Sequence, residues 1–251
     1  MLMMNLKTVI FFSYYHPNVD SLNNIRTNAE KYLCPDEMDE WAAFKVSKRR
    51  DEWLTSRAVT KLMIQAVPGF QHFELQNIKI MKKRSGQPYI VDLRSGQNHG
   101  SYSLSHSHGA VFCGFSIEPH LRFGFDLEKI EPRPLEFIQD YFTDAEIEMI
   151  RKNPTMQDEV ATLVWSAKEA VLKAMQRGLS VDTRTVEIHP DLNGTSQNGW
   201  HTGRVRATDE PEANFTILWR AETGFIRTIC AENSLHTQFQ ELPINLIMAG
   251  K

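Results

Sequence analysis

Two long stretches with helical spacing, residues 38–67 and 157–178, each followed by a set of short strand-like runs, constrain the fold of this chain more than any other feature. In "MDEWAAFKVSKRRDEWLTSRAVTKLMIQAV", Trp53, Leu54, Val59, Leu62, Met63 and Ala66 fall near one face, and Pro68-Gly69 ends the run. "QDEVATLVWSAKEAVLKAMQRG" follows "TDAEIEMIRKN" (143–153), where Thr143 and Glu146 have capping-box spacing; Gly178 is the expected C-terminal stop. Strand patterns occur at 8–15, 73–81, 87–91, 101–105, 109–117 and 122–128, and again at 183–190, 200–207, 214–221 and 224–232. The runs at 109–117 and 122–128, joined by "EPHL", read as a hairpin. Strand, long helix and strands, then helices and strands again, predict an α+β chain of two halves. The expected divisions are 1–117, 118–235 and a C-terminal tail, 236–251.

Composition narrows the function classes. With 28 Lys+Arg against 31 Asp+Glu, no global basic excess exists to drive binding to nucleic acid or an anionic membrane, so any anion site is local. Cys34, Cys113 and Cys230 are odd in number and widely spaced, which fits neither a disulfide framework nor a zinc site and points to a reducing cytosol. The N-terminal apolar run is broken by Lys7, lacks a small-residue cleavage site and is too short to span a bilayer, so neither export nor membrane insertion is expected.

Four clusters carry candidate chemistry. In "FGFDLEKIEP" (123–132), strand alternation puts Asp126 and Glu128 on one face and Phe125 and Leu127 on the other. Two like charges so close are unfavourable unless a cation lies between them, although a solvated strand edge explains them equally well. In "WSAKEAVLKA" (165–174), Trp165, Glu169 and Lys173 share a helix face from which Lys168 turns away. An ordinary solvated Glu-to-Lys pair is the plain alternative, but Val160, Ala161, Val164, Ala167, Val171, Leu172 and Met175 make most of that helix apolar. In "SYSLSHSHGAVF", Ser105, His106 and the turn amides near Gly109 suit a phosphate; without a Gly-x-Ser-x-Gly elbow they do not suggest a hydrolase. In "SKRRDEWLTSRAVTK", Arg50, Arg57 and Lys61 can share one stripe, either a solvated face or the local anion patch.

Taken together, "FGFDLEK", "WSAKEAVLK", "SLSHS" and "KRRDEWLTSR" resemble the surfactin-type 4'-phosphopantetheinyl transferases over roughly residues 40–235. That family is marked by a strand (I/V)G(I/V)D(I/V)E, a helix W(S/C/T)xKE(S/A)xxK, an upstream SHS turn and an early RRxEWLxxR-like helix. The resemblance implies a pseudo-dimer of two similar α+β halves with the active site in the cleft between them. It implies transfer of the phosphopantetheine arm of coenzyme A to a serine of an apo acyl, polyketide or peptidyl carrier protein, with release of adenosine 3',5'-bisphosphate. The expected cofactor is Mg²⁺ on Asp126, Glu128 and Glu169, with Lys173 on the pyrophosphate. Ser105 and His106 would contact the coenzyme A phosphates, His106 at the 3'-phosphate, with help from Arg50 and Arg57. The expected general base is Glu146, which also fits the cap role; a metal-bound water is the other candidate. A cytoplasmic monomer serving fatty-acid, polyketide or nonribosomal peptide biosynthesis is the expected setting.

Departures and alternatives are visible at the same level. Gln87 replaces the family's usual Lys or Arg between Gly86 and Pro88, which removes one phosphate contact or shifts it to Arg84. Ser56 stands where the early helix often has Gly, and Phe123 and Phe125 are bulkier than the usual aliphatics. A non-catalytic coenzyme A or carrier-binding protein would keep His106 and the arginines without needing three acids. Another Mg²⁺-dependent phosphoryl-transfer enzyme would use the acids, but no Walker loop is present. The tail "HTQFQELPINLIMAGK" has no derivable role beyond packing of Leu242, Ile244, Leu246 and Ile247 on the body.

Overall fold

The computed structural model describes residues 8–84, 86–177, 181–194, 198–232 and 237–244. The chain divides into two compact units: the first runs to Leu121 and takes in the described residues 237–244, and the second is Arg122–Leu235. The expected helix stop at Gly178 and the tail residues Leu246 and Ile247 lie outside the described residues.

The first unit contains, in chain order, β1 (Thr8–Tyr15), α1 (Val19–Thr27), α2 (Ala29–Tyr32), α3 (Pro35–Ala43), α4 (Ser47–Ala66), β2 (Ile78–Lys82), β3 (Pro88–Asp92), β4 (Asn98–His99), β5 (Ser101–Ser107) and β6 (Ala110–Ser116). β6 lies between β1 and β5, antiparallel to both, while β2, β3 and β4 form a separate antiparallel sheet. Helix α4 buries Leu54, Ala58, Val59, Leu62 and Met63 in a core with Ile25, Ile78, Ile90, Val111 and Phe115. The expected single helix over 38–67 is broken at Phe44–Val46, where the chain is extended and the Phe44 ring meets Trp53 at 5.8 Å. Straight continuation would separate Glu37 from Lys61 by about 36 Å at helical rise. The break folds α3 back on α4, and the two side chains meet in a buried ion pair.

The second unit contains β7 (Phe123–Lys129), α5 (Leu135–Tyr141), α6 (Asp144–Lys152), α7 (Gln157–Ala174), β8 (Val186–Pro190), β9 (His201–Ala207), β10 (Phe215–Glu222) and β11 (Phe225–Glu232). Its antiparallel sheet has the order β7-β11-β10-β9-β8. Helix α7 packs Leu163, Ala167, Ala170, Val171 and Ala174 against Val186, Ile188, Ile217, Trp219, Ile226 and Cys230. The expected hairpin of 109–117 with 122–128 does not form: β6 pairs within the first unit and β7 pairs with β11. The connecting residues carry the chain from one unit to the other, so sequence proximity there is not strand pairing.

After the second unit the chain returns to the first. β12 (Thr237–Glu241) pairs in parallel with β1. The Leu242 amide donates to Phe12 O at 2.7 Å, Ser13 Oγ donates to Leu242 O at 2.6 Å, and Ile244 is buried in the core. Among the described residues, no helix is long and apolar enough to cross a membrane.

Candidate active site

A missing side chain sets the geometry of the second unit's site. A Cβ at Gly124 would lie 1.9 Å from the Ala170 carbonyl oxygen, so β7 and α7 approach at a distance that only glycine tolerates. Two residues on along β7 comes Asp126, 2% exposed, and one turn on along α7 comes Lys173. Lys173 Nζ donates to Asp126 Oδ1 at 2.7 Å and to Phe125 O at 3.0 Å. A buried carboxylate without such a partner would be strongly disfavoured. Glu128, on the same face of β7, accepts from Arg133 Nη2 at 2.8 Å. Phe125 and Leu127 on the opposite face are buried.

Glu169 completes the acidic group. Burial first, then repulsion from Asp126 and Glu128 working against Lys173, pushes its carboxyl up to about 7. Burial and the Asp126 charge likewise raise Glu128, with Arg133 opposing. The three acids therefore share one electrostatic neighbourhood, in which Asp126 and Glu128 make the charged form of Glu169 harder to keep. Among the described residues, no group of three or more His, Cys, Asp or Glu side chains is already gathered for a metal ion. Here the strand acids are instead neutralised by the chain's own cations, Lys173 and Arg133. Sequence reasoning missed Arg133, which lies beyond the strand where periodicity gives no direction.

Lys168, on the far side of α7, is fully buried and donates to Glu146 at 2.9 Å, to Thr183 O at 3.0 Å and to Val186 O. Glu146 also accepts from the Thr143 and Ile188 amides, each at 2.8 Å. It is 1% exposed, and the Thr143 hydroxyl completes the capping box. Both carboxylate oxygens are engaged in a buried network that ties α6 to α7 and β8, which gives Glu146 the cap role expected from the Thr143 spacing and an ion pair besides.

In the first unit, a groove of about 610 Å³ is lined by Arg49, Arg57, Lys79, Lys82 and His106, with Trp53 as an apolar wall and Glu40 and Glu52 among the rest. Arg57 lies over the Trp53 ring at 4.5 Å and 3.5 Å from Glu37. Alternation along β5 puts Leu104 and His106 on the groove and turns Ser105 to the other face. Arg50 does not line the groove either. Its guanidinium packs over Trp41 at 5.7 Å, and the helix phase puts Arg49 in the place expected of Arg50. Gln87 accepts from Lys83 Nζ at 2.8 Å, and Arg84 is not part of the lining.

Comparisons with known proteins agree with the motifs. Residues 122–230 match the 4'-phosphopantetheinyl transferase superfamily. The 4'-phosphopantetheinyl transferase Sfp of Bacillus subtilis (strain 168) is 28% identical over 184 residues, 72% of this chain and 74% of that protein. The 4'-phosphopantetheinyl transferase ffp of Bacillus subtilis is 27% identical over 161 residues, 62% of this chain and 63% of that protein. Among solved structures, holo-[acyl-carrier-protein] synthase of Helicobacter pylori in complex with coenzyme A covers 44% of this chain and 99% of its own, at 14% identity and a TM-score of 0.35, too distant to bear on the site.

Proposed function

We propose that the chain, which resembles the surfactin-type 4'-phosphopantetheinyl transferases in sequence, moves the phosphopantetheine arm of coenzyme A to a serine of an apo carrier protein. In that reaction the serine oxygen bonds to the β-phosphorus of coenzyme A, the pyrophosphate link breaks, and adenosine 3',5'-bisphosphate leaves. The observation that carries the reading is the acidic group of the second unit, with Lys173 among it.

Asp126, Glu128 and Glu169 are hard oxygen donors in one neighbourhood, and the raised proton affinities of Glu128 and Glu169 are what a bound divalent cation would relieve, so the residues fit Mg²⁺. They would hold it, and when bound it supplies charge stabilisation at the pyrophosphate oxygens. Lys173, released from Asp126, would bind the pyrophosphate from one helical turn beyond Glu169. Arg49, Arg57, Lys82 and His106 in the basic groove of the first unit would take the 3'-phosphate end of coenzyme A, with Trp53 beside it. With both Glu146 oxygens engaged in their buried network and Glu169 assigned to the cation, a water beside the acidic group would take the serine proton.

The test is direct. Purified chain, coenzyme A, Mg²⁺ and a panel of apo fatty-acid, polyketide and peptide-synthetase carriers should give one phosphopantetheine added to the carrier serine, read by mass spectrometry. Glu169→Gln should remove the mass gain. Coenzyme A binding without mass gain on any carrier would favour a non-catalytic binding protein.

A further inference from the structure

Arg133 is not part of any motif that marks the site, yet it is the direct partner of Glu128 through Nη2 at 2.8 Å. Its side chain is 14% exposed, and its Nε is buried without a hydrogen-bond partner among the described residues. A web of hydrogen bonds therefore does not place the guanidinium. Its Cζ lies over the Phe137 ring at 5.4 Å. Phe137 in turn meets the Trp165 ring at 4.7 Å with the planes at 70°. Trp165 stands one helical turn before Glu169 on α7. The stack thus runs from an acid on β7 to the helix that carries a second acid.

We propose that Arg133 is a positioning residue for the acidic site: seated on the Phe137 ring, which Trp165 backs, it holds one oxygen of Glu128 and so fixes that carboxylate relative to Glu169. This rests on the proposed Mg²⁺-dependent transfer. Carboxylates that bind metals are commonly oriented by such outer partners, and loss of the partner costs about 10–100-fold in metal affinity or activity. The opposite sign is equally definite for a mere counter-charge. If Arg133 only neutralised Glu128, removing it would take a like charge away from the metal and tighten binding.

Calorimetric titration of Mg²⁺ into the chain saturated with coenzyme A separates the two. Arg133→Met should weaken Mg²⁺ about 10–100-fold, while coenzyme A affinity measured in EDTA stays at the wild-type value. Arg133→Lys keeps the charge but cannot lie flat on the ring while reaching Glu128 with a planar fork, so it should recover little of the loss. Phe137→Leu removes the platform without touching a charge and should also weaken Mg²⁺, which keeps the inference testable if one arginine variant fails to fold. Unchanged or tighter Mg²⁺ binding by Arg133→Met, or full affinity in Arg133→Lys, would overturn the positioning role while leaving transfer by the wild-type chain intact. If the wild-type chain bound no Mg²⁺ with coenzyme A present, the proposed function and this inference would both be overturned.

Discussion

Each unit contains the same buried fastening, and the two versions have been put to different uses. In the second unit, Glu146 in the first turn of α6 caps its own helix and pairs with Lys168 on α7. In the first unit, Glu37 in the first turn of α3 accepts from the Cys34 amide at 3.2 Å and pairs with Lys61 on α4, which also donates to Tyr32 O at 2.7 Å. Around these matched lysines the helices diverge. The residue after Lys168 is Glu169 and the fifth is Lys173, whereas the same positions after Lys61 are Leu62 and Ala66. Four residues before the lysine, the first unit has Arg57 and the second has Val164. One helix has an acid and a lysine beside the two strand acids; the other has an arginine facing a basic groove. The fastening holds each long helix in place, and the neighbouring positions carry the chemistry.

The largest expected effect breaks the fastenings themselves. Lys168→Met leaves Glu146 buried without its cation and should cost about 3–5 kcal/mol in urea unfolding followed by circular dichroism. Lys61→Met should cost clearly less, because Arg57 remains 3.5 Å from Glu37. Equal losses would mean that Arg57 does not share that role. Glu146→Gln tests the division between scaffold and chemistry: the melting temperature should fall, while transfer at a temperature below melting stays within about threefold of wild type, since no general-base contribution of 10²-fold or more is lost. Loss of transfer with unchanged melting would restore Glu146 as a base. On the other helix, Arg49→Ala should raise the KM for coenzyme A about tenfold, the size of one charged hydrogen bond, with little change in kcat.

The smallest effect sharpens the acidic side. The Glu169 carboxyl titrates near 7 in the folded chain against 4.5 without the fold's influence, so the folded state binds this proton more tightly. That contribution to stability is present below about 4.5 and is lost as pH rises through 7. Metal-free chain should therefore melt at a higher temperature at pH 6 than at pH 8 by this contribution, and Glu169→Gln should flatten the difference. Mg²⁺ should act in the opposite direction, binding more weakly as pH falls below 7 because it competes with the same proton.

Much of this was legible in the chain because period and spacing are local. The strand alternation of 123–129 and the helical phase of Glu169 and Lys173 place those groups as the structure does. The capping box at Thr143 was equally readable, but what lies opposite Glu146 was not, since Lys168 reaches it only through packing of α6 on α7. Arg133 was hidden for the same reason: its direction depends on the turn through Pro132 and Pro134, not on a repeat. The opposite facing of Ser105 and His106 was readable too, because alternation alone sets them apart. The break at Phe44–Val46 carries no Pro or Gly, and only the tertiary pairing of α3 with α4 accounts for it.

The return of β12 to β1 has a consequence for the order of assembly on the ribosome. β1 is among the earliest strands made, yet its parallel neighbour emerges only after the whole second unit has been synthesised. Until then one edge of β1 presents unpaired backbone groups, the kind of surface that recruits foreign strands. The second unit has all its sheet partners within Arg122–Leu235 and can close as it leaves the exit tunnel, whereas the first must wait. A chain stalled before residue 237 would thus release a finished C-terminal unit beside an N-terminal one still open along one edge.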